Sequence, residues 1–325
     1  MRYFTQILHK LHVAGTPVKY LFSSLMRFFL RIDTFDWRGF MKRSLLFVVM
    51  LALSLLFTSL FFAGCGKGGN TEITVISREE SSGTRGAFDE LMKISDGKTN
   101  ALFREAVIVS STDEAASKVE VDRRAIGYTS LGSLTSRVKA LAVDGVEAKG
   151  DNVKAGTYNI SRPFVIIAEK NSSNPIAADF IKYLDSKQGQ DIAARVGYIT
   201  SNDSASVFAP SKGLSGKLTI SGSTSVEKVI ERLREEYIAL NPDVKIEINY
   251  NGSSAGIRDC LSAKSNLALS SRALKGDEID RLDGHTFALD AIAVIVNTDN
   301  PINEISSEMV TKIFKGEIRS WNDVK

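Results

Sequence analysis

The chain has 325 residues, of which 43% are apolar and 24% are charged. This composition is typical of a globular protein long enough for two domains, and it excludes a long disordered region. The formal charge of +3 arises in the first 64 residues, because residues 65–325 carry 33 basic and 36 acidic side chains. The sequence gives no sign of a basic face, and we therefore expect no nucleic-acid partner.

Histidine and cysteine are sparse. The two cysteines, Cys65 and Cys260, are too few for a disulfide framework, and His285 is the only histidine after residue 64. A zinc site needs a cluster of such ligands, and His285 has no motif of nucleophilic catalysis around it. We therefore expect no metal, no cofactor and no enzymatic activity.

An export signal is visible near the amino terminus. Met41-Lys42-Arg43 precedes an apolar run over 45–62, and the run ends at Ala63-Gly64-Cys65. This pattern predicts a lipoprotein signal peptide over 41–64, lipidation of Cys65 and a glycine-rich tether over 65–70. The alternative is an uncleaved transmembrane anchor. Both interpretations place the rest of the chain at the extracytoplasmic face of the membrane.

Residues 1–40 precede a complete signal that has its own methionine. We expect that this segment is a mis-assigned leader and that translation begins at Met41. The alternative is a genuine amphipathic extension.

Strands and helices alternate along the remainder of the chain. Strands are predicted at 72–77, 125–128, 163–168, 217–221, 244–250, 267–269 and 291–297, and a hairpin-like segment at 138–146. Helices are predicted at 86–94, 113–121, 177–183, 188–196, 227–240, 255–263 and 307–314. A serine-rich linker is predicted at 201–216. This alternation predicts an α/β fold with largely parallel sheets.

Three loops share one design, in which Ser, Thr and Gly lie between a strand and the helix that follows it. The loops are Ser81-Ser82-Gly83-Thr84, Ser221-Gly222-Ser223-Thr224-Ser225 and Gly252-Ser253-Ser254-Ala255-Gly256. Free N–H groups and the helix dipole favour an anion at such a position, and glycine allows the backbone to approach it closely. Each loop taken singly could also be ordinary helix capping.

None of the loops matches a Walker A or dinucleotide-binding motif, so a small anion is favoured over a nucleotide. Arg78 lies four residues before Ser82 and could bind that anion through charge-assisted hydrogen bonds. Alternatively, Arg78 could form a surface ion pair with Glu79 or Glu80.

At these residues the chain resembles the phosphate-binding component of the high-affinity phosphate ABC transporter, the PstS-type proteins. The matching segments are 73–88 (ITVISREESSGTRGAF), 125–133 (AIGYTSLGS), 218–227 (LTISGSTSVE), 250–257 (YNGSSAGI), 288–301 (ALDAIAVIVNTDNP) and 313–324 (IFKGEIRSWNDV). The resemblance implies a two-lobed type II periplasmic-binding-protein-like fold with a hinge of two crossing strands.

One departure from the family concerns the order of the halves. The segment like 217–325 comes first in the family, and the segment like 71–200 follows it. The chain therefore resembles a circular permutant, with lobe two formed by 71–163 and 297–325 and lobe one by 164–296, including the linker. Permutation is tolerated where the original termini are close and exposed. The alternative is a fragment of a tandem or broken gene.

The resemblance also implies the ligand and its contacts. The implied phosphate-binding residues are Ser223, Thr224, Ser225, Ser253, Ser254, Arg78, Ser82, Gly83 and Thr84. Several family members use an acidic residue in the cleft to accept the ligand proton, but this chain has Ser270-Ser271-Arg272 there. Asp290 is our substitute candidate for that acceptor, and the alternative for Asp290 is a strand-edge or capping role.

The implied partners are inorganic phosphate, the membrane permease subunits of an ABC transporter, and the membrane itself through lipidated Cys65, with the protein acting as a monomer. The alternatives are a binding protein for another oxyanion, such as sulfate or molybdate, and a non-binding fragment or regulatory surface module.

Overall fold

The computed structural model describes residues 71–96 and 99–324. The predicted leader, signal peptide and tether, together with Cys65, lie outside the described residues. Within the described part of the chain, no helix is long and apolar enough to cross a membrane.

The strands alternate with helices as the sequence predicts. They are β1 (Thr74–Arg78), β2 (Val107–Val109), β3 (Ala125–Ser130), β4 (Val138–Ala140), β5 (Ala142–Val143), β6 (Ser161–Glu169), β7 (Ile199–Thr200), β8 (Gly216–Gly222), β9 (Val244–Asn249), β10 (Leu267–Ser270), β11 (Leu282–Asn297) and β12 (Glu304–Ile305). The predicted hairpin-like segment over 138–146 is present only at its end, where Val143 and Val146 form an antiparallel bridge with backbone hydrogen bonds of 2.9 and 3.0 Å. The strands β4 and β5 themselves pair with β11 and β12.

The α-helices are α1 (Gly83–Leu91), α2 (Thr112–Val121), α3 (Gly150–Lys154), α4 (Pro175–Asp185), α5 (Lys187–Arg195), α6 (Glu227–Leu240), α7 (Ser253–Leu261), α8 (Glu278–Arg281) and α9 (Ser307–Phe314). Helix α6 shows why the sequence prediction succeeds. Its buried residues Val229, Ile230, Leu233 and Tyr237 recur at helical spacing, and the helix ends before Asn241-Pro242, where proline disfavours helical backbone.

One sheet runs through both halves of the chain in the order β2-β1-β3-β11-β6-β10-β8-β9. Strands β2, β1 and β3 are parallel on one side, and β10, β8 and β9 are parallel on the other. The long strand β11 joins the two sets, because it pairs antiparallel with β6 along its first part and with β3 along its second part.

Two apolar cores lie on either side of this junction. Core A draws its buried residues from 73–160 and 291–314, and the larger cluster of the other side, core B, draws them from 164–288. A smaller cluster containing Ile257 and Cys260 covers the opposite face of the core B strands. The sequence places the boundary between the lobes at the end of β11. We propose from this packing that the boundary lies nearer to Asp290, because residues 291–296 belong to core A.

The predicted linker packs against core B. Residues 201–215 form no helix or strand, but Phe208 is buried in core B. Ser211 donates from its backbone nitrogen and from its hydroxyl to the Asp179 carboxylate, at 3.2 and 2.6 Å. The segment therefore connects the two halves of the chain as a fixed part of one lobe.

An ion pair is buried where β6 and β11 pass between the cores. Arg162 and Asp290 are cross-strand partners, and two guanidinium nitrogens donate to one carboxylate oxygen at 3.2 and 2.9 Å. The side chains are 1% and 0% exposed. Burial raises the pKa of the Asp290 carboxyl, and the positive charge of Arg162 opposes that rise.

Replacing Asp290 by alanine should lower the free energy of unfolding by about 3–5 kcal/mol, because it leaves the Arg162 charge buried without its partner. Urea denaturation followed by circular dichroism measures this cost. The matched control is Glu169→Ala, since Glu169 is the last residue of β6 and pairs on the surface with Arg281, the residue just before β11. That change should cost less than about 1 kcal/mol. Equal costs for the two variants would contradict a structural role for the buried pair.

Candidate functional site

The three serine-rich loops meet between the cores. The first follows β1 and begins α1, with Ser82 as its N-cap. The second follows β8 and forms a short 3₁₀ helix, Thr224–Val226, before α6. The third follows β9 and begins α7 after Gly252. One loop thus belongs to the side of core A and two belong to the side of core B, so their helix starts face each other.

Hydroxyl groups from the two sides are in direct contact. The Thr84 and Ser225 oxygens are 2.6 Å apart, and Thr112 lies 3.1 Å from Ser225. Within the core B side, Ser223 donates to Ser271 at 2.9 Å, and Ser271 lies 3.2 Å from Ser253. With Thr224, these side chains form the group that we call the hydroxyl cluster: Thr84, Thr112, Ser223, Thr224, Ser225, Ser253 and Ser271.

Arg78 supplies the positive charge of this cluster, and its side chain is only 2% exposed. Its guanidinium donates to Thr112 at 3.1 Å on its own side and to Thr224 at 3.0 Å across the interface. Two further bonds of 2.9 Å go to the Glu79 carboxylate. Arg78 therefore pairs with Glu79, as one alternative from the sequence held, but the pair is buried beside the hydroxyl cluster and is not on the surface.

The backbone of Arg78 is fixed by a buried tyrosine. The Tyr128 hydroxyl accepts from the Arg78 nitrogen at 3.2 Å and lies 3.0 Å from the Ser77 hydroxyl. Burial raises the pKa of Tyr128 to about 12. The Tyr128 ring stacks on Phe88 of α1, so the strand and the helix that carry the first loop share one packing unit.

Two glycines permit the close approach of the loops. A Cβ atom at Gly83 would lie 2.2 Å from the Ser253 hydroxyl oxygen and 2.7 Å from that of Ser271. Gly252 has a φ of +95°, and a Cβ atom there would lie 2.7 Å from the Ser81 hydroxyl. The Ser254 nitrogen donates to the Ser81 carbonyl at 3.0 Å in the space that this leaves.

Arg272 lies beside the third loop. Its guanidinium forms two bonds of 2.8 Å to Glu278 and one of 3.3 Å to the Ser254 hydroxyl. Although burial opposes ionisation of Glu278, the hydrogen bonds from Arg272 bring the pKa of that carboxyl below its usual value. An arginine–glutamate pair thus lies next to the serine-rich loops on each side of the interface.

The structure does not bring Asp290 to the hydroxyl cluster. One carboxylate oxygen accepts from the Ser130 hydroxyl at 2.8 Å and from the Leu131 nitrogen at 3.1 Å, and the other is held by Arg162. Leu131 begins a 3₁₀ helix, so Asp290 has the capping role that was its alternative. Its predicted role as proton acceptor has no support from these contacts.

Most of the predicted site residues lie together. Ser223, Thr224, Ser225, Ser253 and Thr84 are in the hydroxyl cluster, Arg78 is bonded to it, and Gly83 packs on it. The Ser82 hydroxyl instead accepts a hydrogen bond from the Arg85 nitrogen at 3.3 Å, as the N-cap of α1. Ser254 contacts Arg272 instead.

The sequence prediction missed Thr112 and Ser271 as members of the cluster. Thr112 begins α2 after the cap Ser111, which is the same strand–serine–helix design as in the other loops. That signal was present in the sequence, but β2 has only three residues and was not predicted. Among the described residues, no group of three His, Cys, Asp or Glu side chains could hold a metal ion.

Known proteins resemble the chain over most of its length. A model of the PBP superfamily domain matches residues 60–188 and 208–325. Phosphate-binding protein PstS 2 of Streptococcus pneumoniae serotype 4 is 42% identical over 257 residues, which cover 78% of this chain and 88% of that protein. The protein of the same name from Streptococcus agalactiae serotype V is 38% identical over 285 residues, or 85% and 97% of the two chains.

A solved structure agrees with these matches. The crystal structure of a phosphate-binding protein of a phosphate ABC transporter from Streptococcus pneumoniae TIGR4 has a TM-score of 0.65 to this chain. It is 42% identical and covers 78% of this chain and all of that one. The two-lobed type II fold predicted from the sequence is confirmed.

A cross-linking experiment tests the contact between the two sides. Cysteines introduced as Thr84→Cys and Ser225→Cys should form a disulfide under mild oxidation, because the native side-chain oxygens are 2.6 Å apart. Adding Gly83→Ala should slow the reaction about tenfold or more, since overpacking of this kind costs about 1–3 kcal/mol. Thiol titration over time measures the rate.

The control for that experiment is Gly86→Ala in the same helix. A Cβ atom at Gly86 would have Arg272 Cδ as its neighbour at 3.9 Å, which is an ordinary contact. The control should leave the rate of cross-linking unchanged. If Gly83→Ala also left it unchanged, the two sides would not meet through this glycine.

Proposed function

The chain belongs to the PstS phosphate-binding proteins of the PBP superfamily, and from this premise we propose that it captures inorganic phosphate between its two lobes and delivers it to the permease subunits of an ABC transporter. No covalent step is needed, and we propose that the protein is not an enzyme. The streptococcal relatives carry the name of binding proteins.

The observation that carries the proposal is the bond of 3.0 Å from Arg78 to Thr224 across the interface. It joins the buried positive charge of one lobe to the helix start of the other. Phosphate held there would be bonded by both lobes at once. A doubly charged anion is costly to bury unless many donors surround it. Arg78, the cluster hydroxyls and the N–H groups at the helix starts together supply such donors.

Binding would be coupled to closure of the lobes. Two further contacts join the lobes at the rim: Lys228 donates to the Gly132 carbonyl at 2.7 Å, and Lys275 pairs with Glu90 at 2.6 Å. A ligand that bonds to both lobes stabilises the closed state over the open one and shifts the population towards it. The permease would then recognise the surface that exists only when the lobes are closed.

The residues that would anchor the protein to the membrane lie outside the described part of the chain. We propose that residues 41–64 are removed as a lipoprotein signal peptide and that lipidated Cys65 holds a monomer at the extracytoplasmic face of the membrane. Residues 1–40 would not be translated. The support for these statements is the pattern of the sequence alone.

The order of the two halves is also part of the proposal. Matches that span 88% and 97% of two relatives require the halves to follow each other in the same order in all three proteins. This supports the swapped order as an arrangement that the chain shares with its streptococcal relatives.

Isothermal titration calorimetry of the purified protein tests the function. Phosphate should bind, and Arg78→Ala should weaken binding about 100-fold or more, because removal of a buried charged donor costs about 2–5 kcal/mol. Thr224→Val should weaken it about tenfold, since a hydrogen bond to a charged group contributes about 1.5–3 kcal/mol.

The matched control is Arg281→Ala, which removes an arginine that is 57% exposed and is bonded to Glu169 on the surface. This change should leave phosphate affinity as it is. Unchanged affinity in Arg78→Ala, or tighter binding of sulfate than of phosphate by the unaltered protein, would contradict the proposed function.

A further inference from the structure

Two carboxylates lie beside the arginines of the site, and each accepts hydrogen bonds from its arginine through both oxygens. In lobe two, Glu79 accepts two bonds of 2.9 Å from Arg78. In lobe one, Glu278 accepts two bonds of 2.8 Å from Arg272. Fork-shaped pairing of this kind uses both oxygens of each carboxylate and neutralises its charge.

The hydroxyl cluster has no bond to any carboxylate among residues 71–96 and 99–324. Its hydroxyls are bonded to one another, to Arg78 and to backbone nitrogen atoms. Asp290 is held by Arg162 and Ser130, and Glu114 at the start of α2 accepts from Ser110. Asp113 and Glu227, which follow Thr112 and Ser225 closely in the sequence, are exposed. A hydroxyl can donate or accept, whereas an ionised carboxylate can only accept.

This distinction decides which protonation states of an anion the site can bind. A free carboxylate in the site would require the ligand to bring a proton, because otherwise two negative oxygens would face each other without a hydrogen between them. A hydroxyl can turn to accept a ligand proton when there is one and can donate when there is none. Arginines only donate and favour the more highly charged form.

We propose that this site binds tetrahedral dianions whether or not they carry a proton, and therefore takes sulfate as well as hydrogen phosphate. The inference rests on the proposed function and adds the class of ligand to it. Arg272, beside Ser254, adds positive charge on the lobe one side, as Arg78 does on the lobe two side.

Calorimetry with inorganic phosphate and with sulfate tests the inference in the unaltered protein. The dissociation constant for sulfate should exceed that for phosphate, but by no more than about tenfold. Between about pH 6 and 8 phosphate loses its second proton and becomes a dianion, so its affinity for the site should rise with pH. Sulfate is already a dianion throughout that range, so its affinity should stay constant.

A pair of variants at one position provides a second measurement. Arg272→Asp frees Glu278 and adds a carboxylate beside the cluster, so it should weaken sulfate binding about tenfold or more relative to phosphate. Arg272→Gln also frees Glu278 but places no carboxylate at position 272, so it should change the ratio of sulfate to phosphate affinity less than Arg272→Asp does.

The outcomes distinguish a failure of this inference from a failure of the proposed function. Phosphate binding by the unaltered protein with sulfate weaker by more than about 100-fold would overturn this inference and leave the proposed function standing. Binding of neither anion would overturn both. Arg272→Asp and Arg272→Gln with the same ratio of sulfate to phosphate affinity would also contradict the role given to the carboxylate.

Discussion

The guanidinium of Arg78 is a charge that must be neutralised in a place that water hardly reaches. Removing such a group from water costs several kcal/mol unless its hydrogens find acceptors. The chain supplies them from both lobes: Glu79 and Thr112 on one side and Thr224 on the other. The close contact between the lobes at Gly83, and the helix starts that face each other, keep acceptors from both lobes near the guanidinium. A bound anion would satisfy it more fully than hydroxyls can, which is the physical basis of the proposed capture.

Strands β6 and β11, which pass between the two cores, hold the lobes in this arrangement. Strand β11 contributes to both cores and β6 to the core B side, and the buried pair of Arg162 and Asp290 fixes the register between these two strands. From there a chain of contacts reaches the site. Asp290 holds the end of β3 through Ser130, and the Tyr198 hydroxyl donates to the Ser225 carbonyl at 3.1 Å. The Tyr198 ring packs on Phe164 of β6, so this tyrosine joins the second loop to the strands between the cores.

The features that were predicted correctly from the sequence are those that depend on residues close together in the chain. Helix α6 was found where its periodicity predicts it. The helices after Ser82 and Gly252 were also predicted, but they begin at Gly83 and Ser253, earlier than the predicted starts at 86 and 255. Pairing between distant strands was not visible in this way. The first half of β11 is polar and was missed, because it becomes a strand only by pairing with β6. The partner of Asp290 was missed for the same reason, since Arg162 lies far from it in the sequence.

The most direct test of the central claim, that both lobes bind one anion, is a crystal structure of the protein grown with phosphate. We expect one phosphate bonded to Arg78 from lobe two and to Thr224 and Ser253 from lobe one, with Asp290 still paired to Arg162. A phosphate held by residues of a single lobe, or one that takes Asp290 away from Arg162, would contradict the account.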